Sequence, residues 1–199
     1  FKAMAEYYGM REFLLENAGK SGAQVIVEAD ADMIAQYRRR RKVEIAVARA
    51  IREKGFLVYY QPVYSTREKQ FITLEALSRL HHPQLGWIAP DVFIQIAEKN
   101  HMIEQITDLQ FCRVCRFLSE NRWLMDQLLN VKVNLSALDL MKNDCSSHFI
   151  QMMDAFEIPH NWIQFEITET VATEYNVSLR KVVDEFSAAG IRLCLDDFG

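Results

Sequence analysis

Glycine, proline and cysteine are all scarce, at seven, four and four of 199 residues. So little Gly and Pro excludes collagen-like, low-complexity and largely disordered material. The cysteines at 112, 115, 145 and 194 are too few and too uneven for a disulfide scaffold, and they suit a reducing cytoplasm. No excess of one charge is present: 23 basic and 27 acidic side chains leave a formal net charge of −4, which argues against a nucleic-acid polymer as partner. Apolar runs long enough to span a membrane, roughly 18 residues, are also missing, so no membrane segment is expected. The start, Phe1-Lys2-Ala3-Met4, has neither a signal peptide nor an initiator Met, and the chain is expected to be cut from something longer. What is present is apolar material, half of the residues. That is ample core for one domain, or for one domain and an appendage.

From Phe1 to Asn17, apolar and aromatic residues recur loosely at helical spacing, and Val25-Ile26-Val27 reads as a short strand. From Asp30, a capping residue, the pattern predicts a helix to Lys54 with Gly55 as its stop. Its Arg38-Arg39-Arg40-Arg41-Lys42 run reads as a solvated face. Beyond Gly55, strand-like runs at 56–64, 71–80, 131–135, 163–167 and 191–195 alternate with helical stretches at 91–99, 103–118, 145–156 and 178–189. Alternation of this kind implies parallel pairing and an α/β fold, either an open sheet or a (β/α) barrel. The first two runs are joined by only Ser65-Thr66-Arg67-Glu68-Lys69-Gln70, too short for a crossover helix, so they should be antiparallel. The C-x-x-C at Cys112 and Cys115 lies within the 103–118 helix and is expected to be buried helical packing.

Polar residues gather near the C-terminal ends of these strands. A period of two puts Thr73, Glu75, Leu77 and Arg79 on one face, Lys132, Asn134 and Ser136 on another, and Gln164, Glu166 and Thr168 on a third. The last run ends in Asp196 and Asp197. Carboxylates clustered in strands repel and are costly to desolvate, and Arg79 alone would neutralise only one. A hard divalent cation, Mg²⁺ or Mn²⁺, resolves that conflict, because such ions take carboxylate and amide oxygens. Adjacent aspartates suit a two-ion site of the kind used in phosphodiester cleavage.

In detail the residues resemble an EAL domain, the bacterial cyclic-di-GMP phosphodiesterase family. Glu75-Ala76-Leu77 followed by Arg79 matches the motif that names it, and Tyr60-Gln61-Pro62 matches the strand before it. Gly86-Trp87-Ile88-Ala89-Pro90 with Phe93-Ile94 and Ala97-Glu98 matches the next loop and helix. Asn134-Leu135-Ser136, Glu166-Ile167-Thr168-Glu169 and Asp196-Asp197-Phe198-Gly199 match three further motifs in order. The resemblance covers roughly Val43 to Gly199, with departures such as Ser78 and Leu80.

The resemblance implies a TIM-like (β/α) barrel with an antiparallel first strand pair, incomplete at its C-terminus. Residues 1–29 would be the tail of a preceding GGDEF-like domain, 30–54 a linker helix, and 55–199 the N-terminal part of the EAL domain. Glu75, Asn134, Glu166 and Asp196 would bind a first Mg²⁺ or Mn²⁺, and Asp197 would hold a second, with Asp196 as a bridge. Glu75, Glu169 and Asp197 would be the catalytic residues, Glu169 by anchoring an active-site loop. Gln61, Leu77 and Arg79 would contact cyclic di-GMP, Arg79 through a phosphate. The implied reaction is attack of metal-activated water on one phosphodiester, giving linear pGpG. A homodimer through the same domain is also implied.

The family's later strands, with a Lys that positions water and another acidic ligand, would follow Gly199, so this stretch by itself is expected to turn over little substrate. The alternatives are a cyclic-di-GMP receptor without chemistry and a protein-interaction module. Trp87 reads as loop packing, and His81-His82 as a solvent-facing turn. His101, His148 and His160 read as isolated, and Met152-Met153 with Phe149 and Phe156 as helix core.

Overall fold

Alternation of apolar and polar residues over five to thirteen positions, broken by helical segments, dictates the architecture. A computed structural model describes residues 2–18, 30–168 and 176–196. In chain order the elements are α1 (Lys2–Ala18), α2 (Ala31–Arg52), β1 (Leu57–Ser65), β2 (Gln70–His82) and β3 (Gly86–Ile88). Then come α3 (Pro90–Lys99), α4 (Ile103–Glu120), a 3₁₀ turn (Arg122–Asp126) and β4 (Asn130–Asn134). The chain continues through α5 (Ala137–Leu140), α6 (Cys145–Ala155), β5 (Ile163–Thr168), α7 (Asn176–Ala188) and β6 (Arg192–Asp196). The expected strand at 25–27 lies outside the described residues.

The chain divides into two compact units, Phe1–Ala46 and Val47–Gly199. In the first, Phe13 meets Tyr37 with ring centroids 5.8 Å apart, and the Arg40 guanidinium lies 5.9 Å from the Phe13 ring. A Cβ at Gly9 would collide with the Tyr37 hydroxyl, so a larger residue there would make the Tyr37 ring shift. The Asp30 carboxylate accepts from the Met33 N–H at 2.8 Å, which is the expected N-terminal cap of α2. Along the basic run of α2, Arg40 and Arg41 both reach Glu44.

In the second unit the strand order is β1-β2-β4-β5-β6, with β3 added to β2. The β1–β2 pair is antiparallel, as the short connection requires. The β2–β4, β4–β5 and β5–β6 pairs are parallel. One face of this sheet is apolar. Ala76, Val131, Val133, Ile163, Phe165 and Ile167 form a single core with Phe111, Val114 and Leu118 of α4, Phe149 and Met153 of α6, and Val182 and Phe186 of α7. Phe165 sits at its centre, with ring centroids 5.4 Å from Phe111, 5.1 Å from Phe149 and 4.9 Å from Phe186. Burying each such ring contributes roughly 1.5–3 kcal/mol. Cys115 belongs to the same core, and burial pushes its thiol up to about 12. Gln110 of α4 donates to the Ala76 carbonyl at 2.6 Å, tying helix to sheet.

Helix ends show how a glycine-poor chain terminates its helices. After α7, Gly190 takes the left-handed conformation (φ 82°) and Ile191 N–H reaches back to the Phe186 carbonyl, as expected of a glycine stop. After α2, however, the left-handed residue is Lys54 (φ 53°), not Gly55. Gly55 instead supplies the N–H that closes on the Ala50 carbonyl at 2.7 Å. His101 after α3 and Glu157 after α6 repeat the arrangement at φ 53° and 54°. Hydrogen bonds from Met102 to Ala97 and from Ile158 to Met153 complete these closures.

The histidines are less isolated than their sequence positions suggest. His148 pairs with Asp108 at 2.8 Å between α6 and α4. His160 pairs with Asp154 at 2.8 Å and contacts the Ala189 carbonyl at 3.1 Å. His81 and His82 end β2 rather than forming a turn, and His82 Nδ1 accepts from the N–H groups of Gln84 and Leu85. Among the described residues, no helix is long and apolar enough to cross a membrane.

Candidate active site

With one face of the sheet committed to the core, the alternate residues of every strand line the other. Strand register then decides which of them become neighbours. Gln61 stands across from Glu75, Glu75 from Lys132, Lys132 from Gln164 and Gln164 from Arg192. The result is one polar row across five strands. Two residues along, Asn134, Glu166 and Cys194 form a second row, and Tyr59 faces Leu77 at the corresponding level of β1 and β2. Glu75, Asn134 and Glu166, distant in sequence, are thereby brought onto one patch.

Side-chain bonds knit this patch together. Asn134 Nδ2 donates to Glu75 Oε1 at 3.3 Å. Below them, Asn130 Nδ2 donates to Gln164 Oε1 at 3.2 Å within the buried part of the sheet. The backbone N–H of Leu135 donates to the Glu166 carbonyl at 2.8 Å, which locks the end of β4 against β5. Lys132 Nζ lies 2.5 Å from Glu166 Oε1. That ion pair corrects the expectation that the acids lack a counter-charge beyond Arg79. Lys132 has the same parity as Asn134, so its face was readable from sequence. Its partner was not, because pairing depends on β5 lying beside β4. Only 4% of the Glu166 side chain is exposed, and a carboxylate that buried requires a partner.

Ser136 does not continue the polar face, because β4 ends at Asn134 and Ser136 caps α5 instead. Its Oγ accepts from the Asp139 N–H at 3.2 Å and donates to Asp139 Oδ2 at 2.7 Å. Thr107 of α4 adds a bond to the same carboxylate at 3.0 Å. The cluster fixes the turn that follows Asn134. Burial raises the Asp139 carboxyl above its ordinary value, against the lowering effect of the Ser136 and Thr107 bonds.

Gln61 is exposed, while Leu77 and Arg79 are half-buried on the same face. Arg79 donates to the Ser78 carbonyl at 2.9 Å and forms no ion pair with a described carboxylate. Trp87 lies in β3 rather than in a loop, edge-on to His81 at 5.0 Å and to Tyr59 at 6.0 Å, and remains 57% exposed. Asp196 is the last residue of β6, across from Thr168 and two residues beyond the Glu166–Cys194 pair. Glu169 and Asp197 lie outside the described residues.

The chemistry of the donor set fits a hard divalent ion: two carboxylates and one amide oxygen from three neighbouring strands, with the Asn134 amide nitrogen turned to Glu75. Among the described residues, no three acidic, histidine or cysteine side chains converge.

Comparison with known proteins identifies relatives of this chain. The cyclic di-GMP phosphodiesterase NbdA of Pseudomonas aeruginosa is 28% identical over 184 residues, covering 92% of this chain and 22% of that protein. The oxygen sensor protein DosP of Escherichia coli is 29% identical over 188 residues, covering 94% of this chain and 23% of that protein. The chain thus spans about a quarter or less of these relatives. Among solved structures, the PaMucR phosphodiesterase in complex with c-di-GMP superposes with a TM-score of 0.72 at 28% identity, over 79% of this chain and 64% of that one. The α/β fold is accordingly the TIM-like barrel fold of such proteins, with an antiparallel first strand pair. The family model described as "EAL domain" matches residues 44–199, and the chain therefore belongs to the EAL domain family.

Proposed function

We propose that this chain carries the active site of a cyclic di-GMP phosphodiesterase, which opens one phosphodiester of cyclic di-GMP to give linear pGpG with Mg²⁺ or Mn²⁺. The observation that carries the reading is the grouping of Glu75, Asn134 and Glu166 on one polar patch, with Gln61 in register across from Glu75. The name of NbdA and the ligand of the PaMucR structure support it.

In this reading Glu75, Asn134, Glu166 and Asp196 would hold a first ion, and Asp197 with Asp196 would hold a second. A bound divalent ion supplies an activated water and stabilises charge on the phosphodiester oxygens. The remaining work falls to the protein. Gln61 and Leu77 line the dinucleotide, and Arg79 pairs its planar fork with a phosphate. Asn134 orients the Glu75 carboxylate through its amide hydrogen. Glu169 anchors the loop at the site, and with Glu75 and Asp197 makes up the catalytic set.

The test is product analysis with the full-length gene product. Cyclic di-GMP should yield pGpG in the presence of Mg²⁺ or Mn²⁺, stop on chelation, and resume on metal re-addition. Binding of cyclic di-GMP without any pGpG would contradict the enzymatic reading.

A further inference from the structure

Lys132 has no assigned task in that reading, yet it occupies the centre of the polar row. Its ammonium lies 2.5 Å from Glu166 Oε1, with 26% of the Lys132 side chain and 4% of the Glu166 side chain exposed. In register it also stands beside Glu75. It is therefore flanked on its two neighbouring strands by the carboxylate-bearing segments that the metal would use. A divalent ion ligated by Glu166 would approach the carboxylate to about 2.0–2.6 Å. An ammonium hydrogen-bonded to the same group would then face a doubly charged ion within a few ångströms, and partial burial strengthens that repulsion relative to water. The two cations compete for one carboxylate.

We propose that Lys132 is a positioning residue that doubles as a built-in competitor for the metal: it holds Glu166 in place, and a divalent ion must displace its ammonium, so Lys132 sets the affinity of the site. This rests on the reading of Glu166 as a metal ligand. Lys132→Gln keeps a hydrogen-bond donor and removes the charge. Lys132→Arg keeps the charge and adds a fork that fits a carboxylate.

Mn²⁺ is titrated into the full chain and the two variants, followed by calorimetry and by the loss of free Mn²⁺ paramagnetic signal, with thermal unfolding to verify folding. Lys132→Gln should bind Mn²⁺ about tenfold more tightly, or better, since a charge-assisted bond no longer has to be broken. Lys132→Arg should bind at or below wild-type affinity. Equal or weaker binding by folded Lys132→Gln, or tighter binding by Lys132→Arg, overturns the inference while leaving the metal reading intact. No Mn²⁺ binding by any of the three proteins overturns both. A merely structural ion pair would alter thermal stability without tightening Mn²⁺ binding.

Discussion

Asn134 on β4 donates its amide hydrogen to Glu75 on β2 across 3.3 Å, joining two residues that stand 59 positions apart in the sequence. The bond is long and Asn134 is exposed, so it adds little to stability and its value lies in orientation. Asn134→Ala should leave the unfolding free energy within about 0.5 kcal/mol of wild type. The same change should weaken Mn²⁺ binding by roughly tenfold or more. Parallel urea and Mn²⁺ titrations check this, and a variant that loses stability without losing metal affinity would contradict it.

The core beneath that patch is centred on Phe165, in contact with the rings of Phe111, Phe149 and Phe186. Phe165→Ala removes the shared ring and opens a cavity, at about 3–5 kcal/mol. That is a large share of the roughly 5–15 kcal/mol typical of a domain. Urea denaturation should show a marked fall in midpoint, and Phe165→Leu a smaller one.

His101 closes α3 in a left-handed conformation, φ 53°, which a side chain makes unfavourable by about 1–2 kcal/mol. The residue is exposed, and its role is met by its backbone. His101→Gly should therefore raise stability by up to about 1 kcal/mol, the relief of strain being partly offset by glycine's greater freedom in the unfolded chain. A shift of the urea midpoint upward is the expected result.

Asp139 is buried beside the turn after Asn134, and burial raises its carboxyl from the ordinary 3.8. The folded protein then binds more protons than the unfolded chain between that value and the raised one. Stability from this group is present at low pH and is lost as pH rises through that window. Asp139→Asn removes the titration. The stability of wild type relative to the variant should therefore fall as pH rises above about 4, and a relative rise would contradict the assignment.

The fold was legible where the chain obeys periodicity. The two faces of β2, the antiparallel hairpin forced by a short connection, and α4 with its buried cysteine side all follow from spacing. The three-residue β3 strand (Gly86–Ile88) was not legible, because so short a run carries no period and exists only through pairing with β2. Lys54 as the left-handed residue was missed for a related reason. The adjacent Gly55 is the natural stop, but the local closure of its N–H onto the Ala50 carbonyl puts the residue before it, Lys54, in the left-handed position. At the site, motif spacing singled out Glu75, Asn134 and Glu166. The ion pair of Lys132 with Glu166 needed strand adjacency, which no local pattern contains.

The central claim is that the patch formed by Glu75, Asn134 and Glu166 is where cyclic di-GMP is hydrolysed. The most direct test compares pGpG formation by the full-length gene product and its Glu75→Ala variant at saturating Mn²⁺. The account predicts a loss of turnover exceeding the roughly 10–100-fold typical of residues that only support a metal site, in a variant whose urea midpoint shows it to be folded. Turnover by Glu75→Ala at the wild-type rate would place the chemistry elsewhere and contradict the account.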